Sequence, residues 1–232
     1  MRKPFRKILM LVVYVIVIPA VIAVSALLWQ SERYSLVSLV IALLACVPFF
    51  VWFEKGKTGA RELVVLSVMI ALSVVGRLVF TPIPACKPVS ALTIITGIAF
   101  GPVAGFITGS MSALVSNIFF GQGPWTPFQM FSWGCIGFVA GLVFRRGQRP
   151  HPVALVVIGV VGGFAYSAGM DVWTTLSSDG GFDVARYLVH ATASLPTTLS
   201  YVVSNVVFLL LLTKPMLEKT ERLRVKYGVF DH

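Results

Sequence analysis

Two ionisable side chains fall where a charge is costly. Arg77 lies about one helical turn from the end of an apolar run, and Asp171 lies near the end of another. A charge at membrane depth is usually paired or functional. Two readings follow: an ion pair that fixes two helices, or direct contact of one or both with a ligand. Amides and aromatics gather in the neighbouring segments TPIPACKPVS, FFGQGPWTPFQ and DVWTTLSSDGGFD. Lys87, Asn117, Gln122, Trp125, Gln129, Trp133 and Trp173 supply hydrogen-bonding heads and ring faces in or beside them. Apolar walls with a few placed polar groups suit a ligand pocket. Tryptophans at that depth also suit a belt against lipid headgroups.

The chemistry on offer is binding rather than bond-making, so no catalytic residue is expected. The chain has no H-E-x-x-H and no G-x-S-x-G around a serine. His151 and His232 fall in basic segments, which leaves His190 without a partner set and no metal site in prospect. GKT at Gly56-Lys57-Thr58 lacks the glycine of a phosphate loop, because Val51 stands in its place. Cys46, Cys86 and Cys135 are an odd, widely spaced set, better read as buried thiols than as a disulfide framework.

The elements that must position these groups are membrane spans. Of the 232 residues 57% are hydrophobic and 12% charged, against about 25% charged in a soluble domain. Apolar runs predict spans near 8–29, 34–53, 62–80, 126–144, 152–174 and 188–213. The first is too long for a signal peptide and lacks a cleavage site, so it reads as retained. Between the third and fourth runs lies 88–120, in which Gly97, Gly101, Gly105 and Gly109 recur every fourth residue. As one helix it would extend about 50 Å, against a hydrocarbon core of ~30 Å.

Charge decides how it is divided. With 88–120 as a hairpin, eight crossings result, and the basic clusters at 2–7, 55–61, 145–149 and 214–226 share one side. With a single span the last two clusters change sides and the positive-inside rule fails. Gly101-Pro102 is therefore the expected cytoplasmic turn, between two short arms near 88–100 and 103–120 whose small residues pack helix on helix. Both termini are expected in the cytoplasm of a multi-pass cell-membrane protein. The net charge of +10 serves topology and anionic lipid. Without a basic stripe interleaved with aromatics, nucleic acid is not an expected partner.

KPVSALTIITGIAFGPVAGFITGSMSALVSNIFFGQGPWTPFQMFSWGCIGFVAGLVF resembles the substrate-binding S component of energy-coupling factor (ECF) transporters, most closely the cobalamin type. GRLVF, MDVW and SNVVFLLLL add to the likeness, which covers roughly 60–214. The resemblance implies an all-α membrane core of six helices over 59–214, preceded here by an extra N-terminal hairpin over 1–58 and followed by a basic tail over 215–232. It implies capture of a vitamin from outside, cobalamin first, with no intrinsic cofactor. Delivery would run through a transmembrane coupling subunit and two ATPases, with docking at small residues spaced by four, here Ser67 and Ala71. An S component for another vitamin or a small metabolite is the alternative. A self-contained secondary transporter is a weaker one, since it requires midplane ion sites and inverted repeats.

Overall fold

The computed structural model describes residues 59–228, apart from 145–147 and 180–181, with isolated positions before 59. The expected N-terminal hairpin over 1–58 otherwise lies outside the described residues. Regular structure among those residues is all helical: α1 (Ala60–Val79), α2 (Val89–Phe100), α3 (Pro102–Phe120), α4 (Thr126–Val143), α5 (Pro152–Asp179), α6 (Val184–Ala193) and α7 (Leu195–Tyr227). α1, α3, α4, α5 and α7 are long and apolar enough to cross a membrane. Their outer faces expose Val64, Val68, Val75, Val157, Val161 and Leu211. Apolar surface all round a helix is a feature of a span.

The 88–120 segment divides where length and charge require. Gly101 has φ 96°, in the region that favours glycine, and Pro102 opens α3 at a position where its missing N–H costs nothing. All 12 residues of α2 are buried. At about 18 Å the helix is too short to cross, and it is tolerated at membrane depth because protein surrounds it. The second arm departs from expectation: α3 has 19 residues and is long and apolar enough to cross a membrane.

The glycine rhythm has a partner that its own segment does not reveal. A Cβ on Gly97 or Gly105 would overlap the carbonyl oxygen of Gly137, and one on Gly137 would lie 2.5 Å from that of Gly105. A Cβ on Gly109 would come within 2.5 Å of the Trp133 backbone. α2, α3 and α4 thus meet backbone to backbone.

A second departure concerns 188–213, expected as one span. The chain turns at Ser194 between α6 and α7, with Pro196 in the first turn of α7. There the ring supplies the φ a helix start needs and the absent N–H is not missed. Asp183 caps α6 by accepting from the Arg186 N–H at 2.8 Å. Gly228, at φ 62°, ends α7 in the left-handed conformation.

The two ends of the bundle differ. At one, Arg61 Nη1 donates to the Tyr227 carbonyl at 3.1 Å, and Arg149 faces Glu221 at 3.8 Å. Gly141 packs against Pro102 there. The opposite end carries the 80–88 loop, the 121–125 loop and the turn at Ser194.

Candidate functional site

At the end opposite the basic residues, Arg77 enters the bundle from α1 and is only 7% exposed. Its Nη1 donates to the Ser116 hydroxyl and, at 2.8 Å, to Asn117 Oδ1, both on α3. The guanidinium carbon lies 4.5 Å from the Phe120 ring centroid and 5.1 Å from that of Trp133. Each such ring contact contributes roughly 0.5–2 kcal/mol. Rings and neutral oxygens solvate the charge without neutralising it.

The network continues across the bundle. Asn117 Nδ2 donates to Thr126 Oγ1 at 2.9 Å and to Gln129 Oε1 at 2.8 Å, and Gln129 Nε2 donates to the Tyr166 hydroxyl at 3.2 Å. Tyr166 stacks on Trp133 with centroids 4.8 Å apart and planes 8° from parallel, and meets Tyr201 edge-on at 5.1 Å. α1, α3, α4, α5 and α7 each contribute one or more members. The spacing explains the convergence: Gln129 and Trp133 are one turn apart on α4, as are Ser116 and Phe120 on α3, so each pair shares a helix face.

The rim is built from loops. Gln122 is exposed; its Nε2 donates to the Leu114 carbonyl at 2.8 Å and its Oε1 accepts from Thr126 Oγ1 at 3.0 Å. The Trp125 ring lies over Gly123, where a Cβ would collide with it. Lys87 anchors the 80–88 loop: its N–H donates to Ser204 Oγ at 2.9 Å, and that hydroxyl returns a bond to the Lys87 carbonyl at 3.2 Å. The Lys87 ammonium lies 5.3 Å from the Phe120 centroid. Partial burial, and then the Arg77 charge, hold it below the usual lysine range.

The expected Arg77–Asp171 ion pair does not form. Asp171 Oδ2 instead accepts from Ser194 Oγ at 2.9 Å, which ties α5 to the turn between α6 and α7. Trp173 packs against Phe128, centroids 5.3 Å apart, away from Arg77's partners. His190 Nε2 lies 3.4 Å from Ser178 Oγ. Among the described residues no three of His, Cys, Asp and Glu gather as metal ligands. Ser67 and Ala71 are exposed on α1, within a stripe that also holds Val64, Val68 and Leu72.

Of the residues expected at a site, Arg77, Asn117, Gln129 and Trp133 therefore converge. Gln122, Trp125 and Lys87 form the rim, while Asp171 and Trp173 stand apart. Ser116, Phe120, Thr126, Tyr166, Tyr201 and Ser204 were not anticipated. The tyrosines carried a usable signal: a hydroxyl inside an apolar span needs a partner.

A family model described as "ECF-type riboflavin transporter, S component" matches residues 57–218. UPF0397 proteins of Vibrio atlanticus (strain LGP32) and Aliivibrio fischeri (strain MJ11) are 30% and 31% identical to the chain over 130 residues. Those matches span 49% of this chain and 71% and 70% of the two relatives. No solved structure matches the chain.

Proposed function

The chain belongs to the ECF-type riboflavin transporter S-component family, and on that premise we propose that it captures a vitamin from outside the cell at the cluster around Arg77. Membership makes the protein a multi-pass, non-enzymatic, substrate-binding subunit that works with an ECF module. The observation that carries the site is the buried Arg77–Asn117–Gln129–Tyr166 network, with its aromatic walls, at one end of the bundle. A buried ionisable residue inside a membrane span marks a functional site by default.

In the proposed orientation the basic end and both termini face the cytoplasm, so the Arg77 end opens outward and the 80–88 loop covers it. Ser67 and Ala71, exposed on α1, are the proposed contact with the coupling subunit. Two vitamins lead the ligand question. Cobalamin comes from the sequence resemblance and suits the amides Asn117, Gln122 and Gln129 with its own amide fringe. Riboflavin comes from the name of the family model and suits the flat Trp133–Tyr166 stack.

The purified protein in detergent should bind a vitamin on its own, measured by titration calorimetry with cobalamin, riboflavin and a wider panel. Uptake in cells should require a co-expressed ECF module. Binding of no vitamin would refute the capture reading, and uptake by the chain alone would favour a self-contained transporter.

A further inference from the structure

We propose that the ligand of this site carries an anionic group, a carboxylate or a phosphate, that docks on the Nε–Nη2 edge of Arg77. The inference rests on the reading of the Arg77 cluster as the ligand site and adds the chemical class of what enters it. Arg77 is only 7% exposed, yet among the described residues no carboxylate lies within ion-pair distance of it. Asp171, the acid expected to compensate it, is engaged with Ser194. The second charged group at the cluster is another cation, Lys87, which shares the Phe120 ring with Arg77.

The guanidinium is oriented rather than neutralised. Nη1 is held by Ser116 and Asn117, and Asn117 is itself held by Thr126 and Gln129. Phe120 and Trp133 fix the plane. What remains is Nε, buried without a hydrogen-bond partner, and Nη2 on the same edge. A planar edge of two parallel N–H groups matches a carboxylate or phosphate, which accepts both at once. A neutral ligand would leave that edge, and the excess positive charge, uncompensated.

The inference separates the two candidate vitamins. Cobalamin carries a phosphodiester, whereas riboflavin carries no anion at neutral pH. The test uses matched pairs on the purified full chain: cobinamide phosphate against cobinamide, flavin mononucleotide against riboflavin, and biotin against its amide. In any pair that binds, the anionic member should bind roughly ten-fold tighter or better. Arg77→Gln should erase the difference. Equal binding of both members, or a preference that survives Arg77→Gln, overturns the proposal. If Arg77→Gln does not fold, Arg77→Lys keeps the charge without the planar edge and should still lose most of the preference. Benzoate and phenyl phosphate, titrated against tryptophan fluorescence, provide an arm independent of the vitamin. Saturable quenching in the wild type that is lost in the variant supports the anion site, and the stronger probe tells carboxylate from phosphate. If neither quenches the wild type, the anion site is refuted. If one does while every vitamin fails to bind, the capture reading falls and the anion site stands.

Discussion

α3 and α4 are one helix pair built from two opposite materials. Along Gly105, Gly109 and Gly137 the backbones touch, and Gly134 leaves room for the Phe106 ring and the Ser110 hydroxyl. A turn or two further along, Asn117, Thr126 and Gln129 join the same helices through side-chain hydrogen bonds of 2.8–2.9 Å. The seam has little room to adjust, because its closest contacts at Gly105, Gly109 and Gly137 are with main-chain atoms. The polar half can, because rotamers and hydrogen bonds can be remade within the fixed frame. A binding protein that must admit and release a ligand gains from having both on one pair: a rigid floor that keeps the site's geometry, and a roof whose bonds exchange.

The largest expected effect tests the seam. Gly137→Leu would drive a Cβ to 2.5 Å from the Gly105 carbonyl oxygen, and overpacking costs about 3 kcal/mol or more where backbone cannot yield. Thermal unfolding in detergent should show a large fall in midpoint or no folded protein. Near-wild-type stability would mean the seam is looser than the contacts imply, and the contrast would fail.

Next comes the polar half. Asn117→Ala removes an acceptor from Arg77 and a donor from Gln129, leaving buried groups unsatisfied at roughly 1–3 kcal/mol each. Ligand affinity should fall by a larger factor than stability, since the alanine also frees Arg77 to move. A variant that unfolds yet binds normally when folded would show the network to be structural only. A smaller effect is expected at the periphery, where Ser194→Ala deletes the donor to Asp171. The loss should be about 1–2 kcal/mol and leave affinity nearly unchanged, because Asp171 stands apart from Arg77. A marked loss of binding would bring Asp171 back into the site.

The smallest effect concerns Lys87. Its folded-state ionisation lies below the ordinary value of 10.5, so the unfolded chain binds the proton more tightly. Stability should therefore rise with pH through the alkaline window below 10.5, and Lys87→Met should flatten that rise. Since the lysine is partly exposed, the change is modest. Equal slopes in the two proteins would show that the loop does not hold the ammonium in place.

Legibility followed the kind of information each feature needs. The break at Gly101-Pro102 was readable because helix rise against bilayer thickness, and the side on which charges fall, are one-dimensional quantities. The turn at Ser194 was not, since the apolar run 188–213 continues through it and Pro196 alone marks it. Arg77 was placed correctly in the last turn of its helix, whereas α5 runs about two turns past Asp171, and the two were wrongly joined to each other. Depth along a helix is set by residue count; which neighbour a side chain meets depends on the rotation of each helix about its axis.

The amino-acid sequence by itself determined the membrane class, a short buried arm near 88–100, the set of amides and aromatics beside Arg77, and the likeness to ECF S components, shown over 57–218 for the riboflavin-transporter family model and not for the cobalamin type. Only the tertiary structure decided that the α3 glycines face Gly134 and Gly137, that Asn117 bridges Arg77 to Gln129, and that Tyr166 closes the network. The physical reason is common to all three. Hydrophobicity and helix length act on each segment separately, whereas a hydrogen bond or a backbone contact exists only once two helices have a fixed distance and a fixed rotation.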